Sequence, residues 1–194
     1  MLILASNSLR RRELLELAGV TIDKIVSPNI DESPLRSELP KLYVERMARA
    51  KSDAILKKDD DYVLTADTIV TRGRRIFGKP ENEIIAESYL RLLSGCRHRV
   101  LTSVCLAYNG KLLVRTVMTI VRMKSLSEME IKSYLSSGEW KGKAGGYAIQ
   151  GRASVFVTFI SGSYTNVVGL PLTETINLLV GNGLQLSNIG TNVE

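Results

Sequence analysis

The chain has 194 residues, of which 44% are apolar and 24% charged, and this composition excludes an intrinsically disordered or collagen-like protein. Twenty-six basic and 20 acidic residues give a formal net charge of +6, but the excess is spread along the chain and aromatic residues make up only 6%. A nucleic-acid binder would concentrate its basic residues or interleave them with aromatic ones. We therefore expect no nucleic-acid partner, and a positive cleft for a small polyanion instead.

Membrane-spanning segments and disulfides are not predicted. The longest apolar runs, such as 167–172, fall far short of the roughly 20 residues that a membrane helix needs. The N-terminal stretch turns basic after four apolar residues, unlike a signal peptide. Cys96 and Cys105 have no partner pair elsewhere and are interpreted as reduced thiols. These features predict a cytoplasmic protein with no membrane partner.

The first 80 residues alternate between strand and helix patterns. Strands are predicted at 2–5, 21–26, 62–71 and 75–77. Helices are predicted after Ser8, ending near Gly19, and from Pro40 to about Leu56. The segment between Pro28 and Pro40 contains turn residues and the adjacent carboxylates Asp31 and Glu32, so it is predicted to be a loop.

The second half continues the alternation and adds a long hairpin. Strands 97–108 and 111–123 flank Asn109-Gly110, the strongest short hairpin motif. Ser127 and Glu130 form a predicted capping box. The remaining predicted elements are helices at 81–93, 128–137 and 171–181, a strand at 154–160, and a loose tail at 186–194. Helices alternating with strands predict the α/β class, and the hairpin makes the sheet mixed.

The turn between the first strand and the first helix is a candidate anion site. Backbone N–H groups and the positive end of the helix dipole point outward at a helix start, where Ser8 is a natural N-cap. Arg10, Arg11 and Arg12 follow in the first turn, where the dipole disfavours each cation by about 0.3–1 kcal/mol. Three cations there favour a bound anion, and the alternative is a solvated basic turn.

Asp67 interrupts a strongly apolar strand. An ionised carboxylate in that setting costs several kcal/mol unless it is paired or bound to a metal. A strand at the rim of a cleft removes this cost, and a structural salt bridge to an arginine is the alternative. Asp31 and Glu32 lie in the loop after the second strand. They could supply a second carboxylate or simply be solvated.

Lysines outside the first helix are further candidates. Met47, Lys51 and Ile55 share one helix face, which puts Lys51 on an apolar stripe, as a ligand or as a lysine that snorkels to solvent. Lys79 lies between glycine and proline at the end of a strand, in an extended conformation. Segment 138–151 holds five glycines and two lysines, which favours a loop that closes on a ligand over a plain irregular connection.

Taken together and in order, these motifs resemble the Maf family of nucleotide pyrophosphatases from about Leu2 to Val180. The matching stretches are LASNSLRRRELL, the acidic Asp31-Glu32, RMARAKSDA, ADT with GKP after it, LSGCRHRVLT, EWKGKAGGYAIQG and SYTNVVGLPL. The resemblance implies one domain over 1–194 with the Maf/inosine-triphosphatase-like fold. That fold has an elongated mixed sheet, helices on both sides and a cleft between two lobes, and it is often dimeric, so a homodimer is a possible partner.

The resemblance also implies an activity, which is hydrolysis of nucleoside triphosphates to the monophosphate and pyrophosphate with a divalent cation, Mg²⁺ or Mn²⁺. The implied catalytic residues are Glu32, Lys51, Asp67 and Lys79. Of these, Glu32 and Asp67 would also hold the metal. The implied substrate-binding residues are Ser6, Ser8, Arg10, Arg11, Thr68, Lys143 and Gln150. Leu9 departs from the family pattern, which has proline there, and the loop loses a pre-set first-turn φ without losing a functional group.

Three of these positions, Arg10, Thr68 and Gln150, resemble the branch of the family that acts on dTTP and UTP. Uracil and thymine present an N3–H donor between two carbonyl acceptors, which an amide group such as that of Gln150 complements. Guanine presents two donors and one acceptor, which a glutamate would suit better. The alternatives are a pyrophosphatase for 7-methyl-GTP or for many nucleotides, and a non-catalytic nucleotide-binding regulator of cell division and septum formation.

Overall fold

The computed structural model describes residues 1–186, and in them helices pack on both faces of a seven-stranded mixed sheet. The strands are β1 (Leu2–Ala5), β2 (Lys24–Val26), β3 (Tyr62–Arg72), β4 (Arg75–Phe77), β5 (Arg97–Tyr108), β6 (Lys111–Met123) and β7 (Val157–Ser161). The helices are α1 (Leu9–Leu17), α2 (Pro40–Asp53), α3 (Glu83–Leu93), α4 (Glu128–Ser136), α5 (Tyr164–Val168) and α6 (Leu172–Gly181). Over this part of the chain, none of the helices combines the length and apolarity needed to cross a bilayer.

The strands run in the order β2-β1-β3-β5-β6-β7, with β4 paired to β3 beside this path. The β1 strand is parallel to both of its neighbours, whereas β3, β5, β6 and β7 are antiparallel in succession. Asn109 and Gly110 join β5 to β6 with φ values of 49° and 70°, the positive pair that a type I′ turn requires. The predicted α/β class and mixed sheet are confirmed.

Alternating side chains divide the core between the two faces of the sheet. In β1, Leu2 and Leu4 pack into the large cluster that includes buried residues of α1, α3, α4 and α6. Ile3 and Ala5 point to the opposite face, which α2 covers, with Met47 fully buried. This period of two is what a strand buried on both sides requires. For the same reason, the side chains of successive residues in β3 lie on opposite faces of the sheet.

One edge of β3 is open in its middle. The β1 strand pairs with residues 62–65 of β3, and β4 pairs with residues 70–72 on the same edge. Between them, residues 66–69 have no strand partner on that edge in the described chain. Asp67 and Thr68 therefore stand at a gap in the sheet, with their side chains on opposite faces. The gap is where the cleft forms.

The strand predicted at 154–160 was partly wrong, and α5 was not predicted. A 3₁₀ turn occupies Arg152–Phe156 before β7 begins. The Arg152 N–H donates to Glu139 Oε2 at 2.8 Å, a tertiary contact that diverts the chain from a strand. The five-residue α5 is too short for a helical period, and Ser163 caps it by accepting from the Asn166 N–H. Of the predicted loose tail, residues 187–194 lie outside the described residues.

Candidate active site

A cavity of about 490 Å³ lies where β1 ends, α1 begins and β3 is open. The glycine-rich segment 138–151 and the turn before α6 close its remaining sides. All of the predicted site residues line this cavity, although they come from segments far apart in sequence: Ser6, Ser8, Arg10, Arg11, Glu32, Lys51, Asp67, Thr68, Lys79, Lys143 and Gln150. The fold thus brings the candidates together in one place, and their roles stay predictions.

Lys51 joins the two carboxylates of the cleft. Its Nζ lies 2.6 Å from Asp67 Oδ1 and 2.8 Å from Glu32 Oε1. Lys51 and Asp67 are buried, with 6% and 8% of their surface exposed. Lys51 therefore does not snorkel to solvent, and it is this lysine, not an arginine, that forms the short ion pair with Asp67. Since each buried charge is paired, neither bears its full desolvation cost.

Glu32 is the exposed member of this group, with 44% of its side chain accessible. Partial burial disfavours its ionised form, but the hydrogen bond and charge of Lys51 outweigh burial and lower the pKa of the carboxyl. The second oxygen, Oε2, lies 4.0 Å from Nζ of the largely exposed Lys79. Glu32 is consequently ionised at neutral pH and has an oxygen facing the open cleft.

Arg11 is a half-buried cross-link between three segments of the cleft wall. Its Nε donates to the Gly169 carbonyl at 2.9 Å, Nη1 to Ser6 Oγ at 3.1 Å and Nη2 to Thr68 Oγ1 at 3.1 Å. Burial lowers the pKa of the guanidinium, and the charge of Asp67 acts in the opposite direction. Arg11 therefore holds the wall together as well as contributing positive charge. The Gly169 carbonyl was not predicted as a partner.

Arg10 and Lys143 face the cleft without a carboxylate. Neither of them forms an ion pair with any described residue. Burial lowers the pKa of Arg10, and burial followed by the charge of Arg10 lowers the pKa of Lys143. The charge of Arg10 thus disfavours the charged form of the neighbouring Lys143, and a bound anion between the two cations would relieve this repulsion.

The start of α1 adds neutral donors to this cationic side. Ser8 occupies the N-cap position in an extended conformation, but its side chain makes no capping hydrogen bond. The Ser8 N–H donates to Ser6 Oγ at 3.2 Å, and the first turn contains no acidic residue. The Ser8 hydroxyl thus has no hydrogen-bond partner among the described residues, and it lies beside the arginines at this predicted anion site.

The glycine-rich segment is packed against the sheet, which positions its functional side chains. A Cβ on Gly145 would lie 2.7 Å from Val70 Cγ2, and φ there is +72°, so only glycine fits this approach. The Gly145 N–H donates to the Gly78 carbonyl at 3.0 Å. Lys143 and Gln150 flank this anchor on the cleft side. The segment is a packed wall of the cavity and not a plain connection.

Sequence reasoning missed Tyr147 as a lining residue of the cleft. Its hydroxyl lies 2.7 Å from Nε2 of His98, which is buried. Burial lowers the pKa of His98 to about 4, so the ring is neutral near pH 7. Tyr147 lies within the glycine-rich segment, where the only available indication was an aromatic residue between glycines.

The carboxylates of the cleft suit a divalent cation only if a bound polyphosphate supplies further oxygen ligands. Within residues 1–186 no three His, Cys, Asp or Glu side chains converge as a metal site would require. Glu32 and Asp67 nevertheless provide two carboxylates held 2.8 Å and 2.6 Å from the same ammonium group. Mg²⁺ is commonly bound by one or two carboxylates together with substrate phosphates and water. The residues therefore fit a magnesium or manganese ion that arrives with a polyphosphate.

Comparison with solved structures supports the fold. The structure of a HAM1 protein from Coxiella burnetii matches with a TM-score of 0.50 at 13% sequence identity, covering 94% of this chain and 98% of that one. At this identity the match bears on the fold alone. It agrees with the elongated α/β architecture expected from the sequence.

Comparison with curated sequences identifies the family. The dTTP/UTP pyrophosphatase of Roseobacter denitrificans is 53% identical over 183 residues, covering 94% of this chain and 97% of that protein. The nucleoside triphosphate pyrophosphatase of Anaplasma marginale, strain Florida, is 52% identical over 182 residues and covers 93% of each. The family described as Maf-like protein matches residues 1–181. The chain therefore belongs to the Maf-like protein family.

Proposed function

We propose that this protein hydrolyses dTTP and UTP to the nucleoside monophosphate and pyrophosphate. The observation that carries the proposal is the juxtaposition, in one cleft, of Lys51 bonded to two carboxylates with Arg10 and Lys143, which form no ion pair with any described residue. The first group suits activation of water, and the second suits binding of a polyphosphate. The name of the Roseobacter relative supports the same activity.

The cationic side is proposed to bind the triphosphate. A nucleoside triphosphate carries about four negative charges near neutral pH, so several cations and a metal ion are needed to neutralise it. Arg10, Lys143 and the exposed Lys79 would contact the phosphates, together with the Ser8 hydroxyl at the start of α1. Arg11 would add charge from its half-buried position while keeping Ser6 and Gly169 in place.

Asp67 is proposed to be the general base that takes a proton from the attacking water. Its ion pair with Lys51 at 2.6 Å fixes the direction of the carboxylate. Glu32 would orient the water or hold the metal, because its second oxygen faces the cleft. When bound by Glu32 and Asp67, Mg²⁺ or Mn²⁺ would polarise the α-phosphate and offset developing negative charge.

The nucleobase of the substrate is proposed to be recognised by Thr68 and Gln150. Thr68 lies at the β3 opening with its hydroxyl accepting from Arg11, and Gln150 is exposed on the glycine-rich wall. The amide of Gln150 complements the N3–H and carbonyl groups of uracil and thymine. Preference for pyrimidine over guanine follows from that pattern of donors and acceptors.

The cytoplasm is the proposed location of this activity. Cys96 and Cys105 are both free thiols in the structure, and Cys105 is buried. Unpaired thiols are the rule in reducing compartments. Fractionation of cells that express the tagged protein tests this location.

The test is pyrophosphate release from dTTP, UTP, CTP and 7-methyl-GTP at equal concentration, with Mg²⁺ and with excess chelator. We expect release from dTTP and UTP above the other two nucleotides, and loss of release with chelator. A preference for 7-methyl-GTP would contradict the role given to Gln150. Tight UTP binding with no pyrophosphate over hours would replace the enzyme by a nucleotide-binding regulator.

A further inference from the structure

The segment that carries Glu32, residues 28–39, contains no helix or strand of its own. Lys51 reaches the Glu32 carboxylate only if this segment stays close to α2. Side chains of α2 hold it there, and they bond two consecutive backbone carbonyls, those of Glu32 and Ser33. The Tyr43 hydroxyl donates to the Glu32 carbonyl at 2.7 Å, and Arg46 Nη2 donates to the Ser33 carbonyl at 3.0 Å.

Arg46 also binds the C-terminal end of the segment, at Glu38. Its Nε and Nη2 donate to Glu38 Oε1 and Oε2 at 2.7 Å and 2.6 Å, a two-point guanidinium–carboxylate pair. The Leu35 N–H donates to the same Glu38 Oε2 at 3.0 Å, which closes the turn between them. The Arg46 hydrogen bond holds the pKa of Glu38 down to about 2, so the pair stays charged near pH 7.

Backbone and side chain of Glu32 are therefore held differently. The backbone is fixed to α2 by Tyr43 and Arg46, whereas the carboxylate is 44% exposed and free to exchange its partners. Lys51 lies on the same helix as both of these residues. One rigid element thus sets the distance between the lysine and the segment, while the carboxylate keeps its freedom to take a new ligand.

We infer that Tyr43 and Arg46 are positioning residues that fix Glu32 for binding the metal–nucleotide complex. The inference rests on the proposed function for its ligand. Neither residue lines the cavity, so both act through Glu32. Without them the segment would sample positions away from Lys51, and the metal would lose a pre-placed oxygen.

The experiment compares Tyr43→Phe and Arg46→Gln with two matched controls. Tyr62→Phe removes a similar hydroxyl bond, to the Asn182 carbonyl at 2.9 Å, away from the cleft. Arg91→Gln removes an arginine that bonds two carboxylates between α3 and α4. Hydrogen exchange of amides 28–39 is measured first on the nucleotide-free proteins. Affinity for Mn²⁺ with α,β-methylene-UTP is then measured by electron paramagnetic resonance, and kcat and KM with UTP follow.

We expect faster exchange across 28–39, by about tenfold in Arg46→Gln and about threefold in Tyr43→Phe, with both controls near wild type. Mn²⁺ affinity and kcat should each fall by about tenfold in Arg46→Gln and by about threefold in Tyr43→Phe. Arg46→Lys should recover part of each loss. Unchanged exchange, or faster exchange with unchanged Mn²⁺ affinity, would overturn the inference. If the wild type releases no pyrophosphate, the proposed function fails while the exchange and Mn²⁺ measurements still decide this one.

Discussion

The two sides of the cleft treat charge in opposite ways. On the carboxylate side, formed by Glu32, Lys51 and Asp67, every charge already has a partner within 2.8 Å. On the cationic side, formed by Arg10 and Lys143, no ion pair is made with any described residue. The first arrangement is complete without substrate, and the second is completed by an anion.

The difference separates pre-organised chemistry from substrate binding. The buried pair of Lys51 and Asp67 holds a fixed position, which suits a base that must be aligned before the reaction starts. Unpaired cations destabilise one another until a polyanion arrives, so their cost is relieved in the complex. Substitutions on the carboxylate side should therefore act on kcat, and those on the cationic side on KM.

The largest effect is expected for Asp67→Asn. The amide has nearly the same shape but accepts no proton, so loss of a general base should lower kcat for UTP by roughly 10²–10⁴. Pyrophosphate release under saturating UTP and Mg²⁺ measures the change. Activity within a few-fold of wild type would remove Asp67 from the role of base.

Arg10→Ala and Lys143→Ala should weaken substrate binding on the cationic side of the cleft. Loss of a charged contact to phosphate costs about 1.5–3 kcal/mol, so KM should rise roughly ten- to a hundredfold with little change in kcat. Lys141→Ala is the control, since Lys141 is exposed and does not line the cavity. A fall in kcat without a rise in KM would contradict the assignment.

The free energy of unfolding should depend on pH through His98, which lies behind Tyr147 of the cleft wall. Burial lowers the pKa of His98 to about 4 in the folded state, against 6.5 when exposed, so the unfolded chain binds more protons between these values. Stability should fall as the pH drops through this range, by about 2 kcal/mol from pH 7 to pH 5. Denaturant unfolding at both pH values measures it. In His98→Gln this part of the pH dependence should disappear, and an unchanged dependence would show that another group titrates.

The smallest effect is expected for Gln150→Glu. The carboxylate removes two amide donors but leaves the phosphate contacts intact, so kcat/KM for UTP should fall by about five- to tenfold. The ratio of 7-methyl-GTP to UTP turnover should rise at the same time. An unaltered ratio would mean that the base is read elsewhere.

Local patterns predicted most of the fold and several residues that line the cavity, whereas Ser6, Thr68 and Gln150 were expected only from the family resemblance. The Asn109-Gly110 turn specifies its own hairpin, and β5 and β6 have the predicted bounds. Asp67 and Lys51 were each conspicuous because a charge lay in an apolar pattern. Such anomalies are visible in sequence because they break a local rule.

Partners across the fold could not be predicted in the same way. The bond between Lys51 and Asp67 spans 16 residues and depends on how α2 packs on the sheet, and that between Arg11 and Gly169 spans 158. The support that Tyr43 gives to Glu32 is likewise set by tertiary packing. Sequence reasoning therefore found which residues meet, but not how their charges are shared.

The central claim is that the carboxylate side directs water at the α-phosphorus while the cationic side holds the departing pyrophosphate. Hydrolysis of UTP in H₂¹⁸O followed by mass spectrometry of both products tests this most directly. We predict that ¹⁸O enters UMP and that pyrophosphate stays unlabelled. Label in pyrophosphate, or release of orthophosphate as the first product, would contradict the account.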